Sequence, residues 1–227
     1  MKILEVVGLT CHVGTTAVLD ALSFTLEEGE ILALCGPAGA GKTACLRCLG
    51  GALPADSGRL IFDGREVTGL GPRELAQQGL VRAGELPSPP WPLTVAQAVA
   101  LALRWPHLGT AAAVLAAAWP NARARTRVAA LLDRVGLSAD ARRRRDGLPA
   151  AAMGRLGLAQ ALAQRPRLLL LDEPLGRLPT DDRPAAARLI DEIRAQGVSV
   201  LLTEREPAVA KTVADRVARL ERGAVIG

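Results

Sequence analysis

The sequence predicts an α/β fold: a mainly parallel sheet flanked by helices, with an antiparallel β layer near the start and an inserted helical subdomain. Three observations carry this. The run Ile31-Leu32-Ala33-Leu34-Cys35 is short, apolar and bounded by turn residues, as a strand buried on both faces is, and a glycine-rich loop joins it to helical composition from Ala44 to Leu49. A second apolar run, Leu168-Leu169-Leu170-Leu171, ends in Asp172-Glu173-Pro174, which places charge at the end of a strand. Between the two, residues 85–147 change texture to proline clusters and helical stretches. The 227 residues are ample for a sizeable core. We read 1–227 as a single domain, with 1–84 and 148–227 forming the core and β layer and 85–147 the helical subdomain.

In chain order, apolar stretches at 3–7, 22–26 and 31–34, broken by Gly8, Gly14 and Glu27-Glu28-Gly29, predict a small β layer feeding the central strand. Residues 58–64 read as a strand closed by a hairpin turn at Asp63-Gly64, a pair that tolerates the positive φ such turns need. Pro72 opens a short helix to Gln78, because the first turn has no use for its missing N–H, and Leu80-Val81 returns to the sheet. Pro87, Pro89, Pro90 and Pro92 make a non-helical crossover, followed by helical composition at 95–103, 111–119 and 125–135. Trp91, Trp105 and Trp119 each precede a proline, which favours extended or helix-ending backbone, and read as packing residues. A helix over 153–164 leads into the strand at 168–171; a helix at 184–195, a strand at 198–202 and a hairpin at 217–226, turning near Arg222-Gly223, complete the chain.

Composition narrows the function. Aromatics are 2% of the chain and Tyr is absent, so the core is aliphatic and a platform for stacking bases is disfavoured. The net charge of +5 rests on arginine, in clusters such as Arg123/Arg125/Arg127 and 142–145. A solvated surface is the first reading of these clusters, with an anionic membrane face or nucleic acid as alternatives. Cys45-x-x-Cys48 lies on the helix after the glycine loop and reads as two small hydrophobes, since zinc would require a second pair or nearby histidines, and His12 and His107 are the only two. Glu5 interrupts the start before a signal-peptide core forms, and no apolar run approaches the roughly 20 residues that span a bilayer. A cytoplasmic or peripheral protein is expected.

The chemistry concentrates in two motifs. Gly36-Pro37-Ala38-Gly39-Ala40-Gly41-Lys42-Thr43 fits G-x-x-x-x-G-K-[ST] in the strand–loop–helix setting that the motif needs. Its glycines let backbone N–H groups close around phosphate oxygens, and the helix start adds unsatisfied donors. Lys42 is expected on the β- and γ-phosphates and the Thr43 hydroxyl on Mg²⁺. Asp172 is expected to hold the same metal and Glu173 to orient an attacking water.

With both motifs and a helical insertion between them, the chain resembles the ATP-binding subunit of an ABC transporter, over about Ile3 to Ile226. It is most similar to the branched-chain amino-acid type, through Pro54-Ala55-Asp56-Ser57-Gly58-Arg59, Phe62-Asp63-Gly64-Arg65, Ala161-Leu162-Ala163 and residues 168–174. The resemblance implies a P-loop NTPase core, ATP and Mg²⁺ as ligands, and ATP hydrolysis coupled to transport of an amino acid or other small solute. It also implies a second ATP-binding subunit, identical or not, transmembrane permease subunits, and a peripheral place on the inner face of the cell membrane. Nucleic acid is not expected as a partner.

The departures from that family are as informative. Where its Leu-Ser-Gly-Gly-Gln signature should fall, the chain reads Leu148-Pro149-Ala150-Ala151-Ala152. The hydroxyl and both glycines are gone, and Pro149 has no N–H, so donors to a γ-phosphate are expected to be lost. Glu85 stands at the lid glutamine, Arg205 at the switch histidine, Pro179 at the D-loop aspartate and Val13 at the base-stacking aromatic. Glu85 can still ligate Mg²⁺, whereas Arg205 can hold phosphate but stays protonated and relays no proton. Binding is therefore expected to outlast catalysis, with turnover slow or partner-dependent; a regulatory module that only binds ATP is the first alternative, and a soluble ABC-type ATPase acting on nucleic acid, suggested only by the basic charge, the second.

Overall fold

The computed structural model describes residues 1–84, 91–105 and 120–226. Its strands, in chain order, are β1 (Lys2–Val13), β2 (Thr16–Glu27), β3 (Ile31–Cys35), β4 (Ser57–Phe62), β5 (Arg65–Glu66), β6 (Leu80–Arg82), β7 (Leu168–Asp172), β8 (Ser199–Glu204), β9 (Arg216–Glu221) and β10 (Ala224–Ile226). The described helices are α1 (Lys42–Leu49), α2 (Pro72–Gln78), α3 (Val95–Ala102), α4 (Ala122–Arg134), α5 (Ala150–Ala163), α6 (Arg183–Ala195) and α7 (Pro207–Ala210). Met1–Arg82 and Arg167–Gly227 make one compact unit, Ala83–Pro166 a second.

The first unit holds two sheets. One is antiparallel, in the order β2-β1-β4-β5. Here β1 runs through Gly8, a position read from sequence as a break: Gly8 takes φ 59 and the register with β2 shifts between Val6 and Leu9, so a bulge absorbs the glycine and pairing resumes. The Asp63-Gly64 turn forms as expected, with φ 51 and 72, and joins β4 to β5 in a two-residue hairpin. The other sheet has the order β10-β9-β3-β8-β7-β6, parallel except for β10 against β9. All five residues of β3 are buried, which explains its unbroken apolar run. Leu4, Val6, Leu9, Leu22 and Phe62 from the antiparallel sheet, Leu32 and Leu34 from β3, and Cys45, Leu46 and Leu49 from α1 form one core, aliphatic except for Phe62 among these residues. Cys45 and Cys48 are free and buried, as small hydrophobes.

In the second unit α3 starts at a reciprocal cap, Thr94 accepting from the Gln97 N–H while Gln97 accepts from that of Thr94, and α4 starts at the Asn121 side chain. Helix α5 begins at Ala150, three residues earlier than expected, with Pro149 as its cap. It packs on α3 and α4, and the buried Gln160 side chain donates to the Ala98 carbonyl at 3.2 Å. This unit therefore reaches Pro166, past the expected boundary at 147, because α5 belongs with the inserted helices. The expected helix at 111–119, including Trp119, and the prolines 87, 89 and 90 lie outside the described residues. Trp91 and Trp105 are half-buried, consistent with packing.

Candidate functional site

The parallel pairing of β3, β8 and β7 aligns three strand ends: Cys35 lies beside Glu204, and Thr203 beside Asp172. This is the edge where α/β sheets take ligands. From β3 the chain enters Gly36, which passes β9 so closely that a Cβ there would stand 2.2 Å from the Leu220 carbonyl oxygen. Pro37, Ala38 and Gly39 form the exposed crest, Ala40 turns inward, and Gly41, at φ 97, leads into α1. A Cβ on Gly41 would meet the Val18 carbonyl at 2.5 Å as well as an unfavourable backbone angle. The first N–H groups of α1 thus open onto the loop with no partner inside the helix.

Lys42 is only 6% exposed. Its ammonium donates to the carbonyls of Gly36 (2.6 Å) and Pro37 (2.9 Å) and lies 3.5 Å from Glu173 Oε1. The Thr43 hydroxyl donates to Asp172 Oδ2 at 3.1 Å, and the Thr203 hydroxyl to Asp172 Oδ1 at 3.0 Å. The two carboxylates expected at the end of β7 therefore meet the lysine and hydroxyl of the loop, although 129 residues separate Thr43 from Asp172.

Glu173 is held from several sides. Its backbone takes φ 49, uncommon for a residue with a side chain, and its N–H donates to the Thr203 carbonyl (3.1 Å) and hydroxyl (3.2 Å). Arg205 Nε donates to both carboxylate oxygens, at 3.2 and 3.3 Å, and Arg177 Nε lies 3.6 Å from Oε2. Burial would raise the Glu173 carboxyl, but the Arg205 hydrogen bond and the charges of Arg205, Lys42 and Arg177 together hold it below the ordinary carboxylate range. Beneath it, Glu204 is 1% exposed and accepts the N–H groups of Leu175 (2.8 Å) and Gly176 (3.1 Å), fixing the turn after β7. Burial pushes the Glu204 carboxyl up against the pull of those donors, with the Glu173 charge adding to the rise. Burial, with Glu204 nearby, also pushes the Cys35 thiol up to about 11, so the cysteine beside the loop is a packed thiol.

Thr203, Glu204 and Arg177 were not picked out from sequence. The available signal was polar residues following the apolar run 198–202, at the C-terminal end of a parallel strand, and a cation four residues after Glu173. Of the remaining expected positions, Val13 is exposed at the end of β1, paired with Thr16, and Pro179 caps a single turn at Thr180–Asp182. Glu85 lies outside the described residues. At the signature position the hydroxyl is absent, but the structure modifies the expected loss of donors: Ala150 to Ala152 form the first turn of α5, whose N–H groups have no acceptor within the helix.

A glycine loop between strand and helix, with its lysine and hydroxyl facing two carboxylates at the end of a neighbouring strand, defines the phosphate-binding core of a P-loop NTPase. Residues 19–176 match the family model described as ABC transporter. The chain is 38% identical over 229 residues to the methionine import ATP-binding protein MetN of Mesorhizobium japonicum, covering 99% of this chain and 59% of that protein. It is 36% identical to the Fe(3+) ions import ATP-binding protein FbpC of Streptomyces coelicolor, covering 99% and 61%. The chain belongs to the ABC transporter ATP-binding family. Its fold superposes with a TM-score of 0.85 on the ADP conformation of MJ1267, an ATP-binding cassette of an ABC transporter, at 23% identity over 100% of this chain and 90% of that one. The chain spans about three-fifths of the length of the curated relatives named here, 59% and 61%. No helix among the described residues is long and apolar enough to cross a membrane.

Proposed function

We propose that the chain is the ATP-binding subunit of a solute importer, that it binds MgATP at residues 36–43, and that it hydrolyses ATP weakly or only with a partner subunit. The observation that carries this is the convergence of Lys42 on Glu173 and of Thr43 on Asp172. Lys42 would leave the Gly36 and Pro37 carbonyls for the β- and γ-phosphates, with the N–H groups of the loop and of α1 closing around the same oxygens. Thr43 and Asp172 fit a Mg²⁺ ion, a hydroxyl and a carboxylate already 3.1 Å apart and open to the loop, and the ion when bound would neutralise phosphate charge. Glu173 would orient water. Relatives named for methionine and Fe(3+) import support a small solute, an amino acid among them, without choosing one. Transmembrane permease subunits and a second ATP-binding subunit complete the proposed assembly, on the inner face of the membrane; a likeness to the dimeric cassette MJ0796 bound to ADP and Pi, with a TM-score of 0.82, is consistent with pairing.

A specific observation favours a second reading, in which ATP binding alone regulates assembly. The Glu173 carboxylate faces Lys42, Arg177 and Arg205, so the group that should orient water is already engaged. One experiment tests the binding on which both readings stand. Nucleotide at about 100 times its dissociation constant stabilises the fold by roughly 2.7 kcal/mol, so millimolar MgATP should raise the melting temperature of the wild type and not that of Lys42→Ala. No shift in the wild type would refute both.

A further inference from the structure

Arg177 sits in the turn that follows β7, four residues after Glu173 and outside the glycine loop. Its guanidinium bridges the two carboxylates of the strand end, Nη2 standing 3.4 Å from Asp172 Oδ2 and Nε 3.6 Å from Glu173 Oε2. Asp172 Oδ2 is also the atom that accepts the Thr43 hydroxyl at 3.1 Å. The pair best suited to hold a metal thus already has a permanent cation beside it. Arg177 is not buried in this role: its side chain is 61% exposed, so it can swing from the carboxylates towards an incoming anion without moving the backbone.

The local charge balance points the same way. Asp172 and Glu173, with Glu204 buried beside them, are met by Lys42, Arg177 and Arg205, so the carboxylates of the strand end are already matched by cations before any ion is bound. Arg82 of β6 lies near enough to Asp172 to tip the balance towards positive. A strand end with the carboxylates and Lys42 alone would carry a deficit, which a divalent ion corrects when a triphosphate arrives. A guanidinium remains protonated at all working pH values and presents paired N–H donors that match phosphate oxygens. Its positive charge also opposes a second cation a few ångströms away, whether or not phosphate is present.

We propose that Arg177 is a resident cation of the phosphate site, doing part of the charge neutralisation that Mg²⁺ gives a bound triphosphate, so that this chain holds ATP with little dependence on the metal. The inference rests on the ATP-binding reading, and the experiment separates the two. Purified wild-type chain, Arg177→Ala and Arg177→Lys are titrated with ATP by calorimetry, once in excess Mg²⁺ and once in EDTA, with melting curves to verify that each variant is folded. Charged hydrogen bonds to phosphate are worth tenfold or more in affinity, so removing the metal should weaken the wild type by less than about threefold and Arg177→Ala by about tenfold or more. Arg177→Lys, which keeps the charge, should lie between them. Wild-type binding that collapses in EDTA as far as that of Arg177→Ala would overturn the inference while leaving ATP binding intact. An Arg177→Ala protein that binds like the wild type in both media would overturn it too. No binding by the wild type even in Mg²⁺ would overturn the ATP-binding reading and this inference with it.

Discussion

Replacing Gly176 by alanine should destabilise the first unit through one atom, and that atom can be removed to check the cause. Gly176 does not hold left-handed backbone, so alanine brings no φ penalty. A Cβ there would instead stand 2.5 Å from Glu204 Oε2. That oxygen ends a flexible side chain but is not free to retreat: Glu204 is 1% exposed and its carboxylate is pinned by the N–H groups of Leu175 and Gly176. Forcing a methyl into such a contact costs about 1–3 kcal/mol. Glu204→Ala leaves those two N–H groups without their acceptor, at about 1–3 kcal/mol for the buried Leu175 donor, whereas that of the exposed Gly176 can turn to water. In the double variant the methyl meets nothing, so Gly176→Ala should add little in the Glu204→Ala background, a coupling of about 1–2 kcal/mol. Urea unfolding of the four proteins gives the cycle, and hydrogen exchange at Leu175 and Gly176 reports whether the turn has loosened. An equal cost of Gly176→Ala in both backgrounds would refute the steric account.

Arg205→Ala should lower stability in a pH-dependent way. The folded Glu173 carboxyl lies below its ordinary value of 4.5, so the contribution of its cations is fully present above that pH and is lost as pH falls through the folded value. The melting-temperature gap between wild type and Arg205→Ala should be open near neutrality and close on acidification; a constant gap would mean that Arg205 acts elsewhere. For hydrolysis, the purified chain should turn over little ATP, an intact partner subunit should raise the rate, and Glu173→Gln should remove what the partner restored. Restoring a signature (Pro149→Ser, Ala150→Gly, Ala151→Gly, Ala152→Gln) together with Arg205→His should raise the activity of the chain alone. Wild-type turnover at ordinary phosphoryl-transfer rates, about 1–100 s⁻¹, would contradict the reading of these positions as degenerate.

What could be read in the sequence was local. The phosphate loop is set by backbone that only glycine adopts, next to a lysine at a fixed offset, and the Asp63-Gly64 turn by the φ signs of a two-residue hairpin. The start of α5 is hidden in the sequence because Pro149 supplies no side-chain cap, and without Ser, Thr, Asp or Asn the first alanines carry no start signal. At Gly8 a bulge and a break look alike along one strand; they differ only in whether the partner strand resumes its register. The site was half legible for the same reason. Asp172 and Glu173 announce themselves at the end of an apolar run, but Thr203 reaches Asp172 across 31 residues and Arg205 reaches Glu173 across 32, through the parallel pairing of β7 with β8.

The same charges that favour binding oppose catalysis. Orienting and deprotonating water requires a carboxylate that is free and basic, and Glu173 is neither: Arg205 donates to both of its oxygens, and its carboxyl lies below the ordinary range despite burial. Each pKa unit lost is about 1.4 kcal/mol of base strength, and Arg205, if it stands at the switch position as proposed, cannot return a proton. Holding a triphosphate requires the reverse, permanent cations that do not titrate, and Lys42, Arg177 and Arg205 supply them around the mouth of an intact loop. An anion entering there must compete with Glu173 for the two arginines. If they transfer to phosphate, Glu173 is released next to bound nucleotide; if they remain, nucleotide is held and not cleaved. The exposure of Arg177 and Arg205, 61% and 66% at the side chain, leaves both guanidiniums room to make that transfer without a change of backbone.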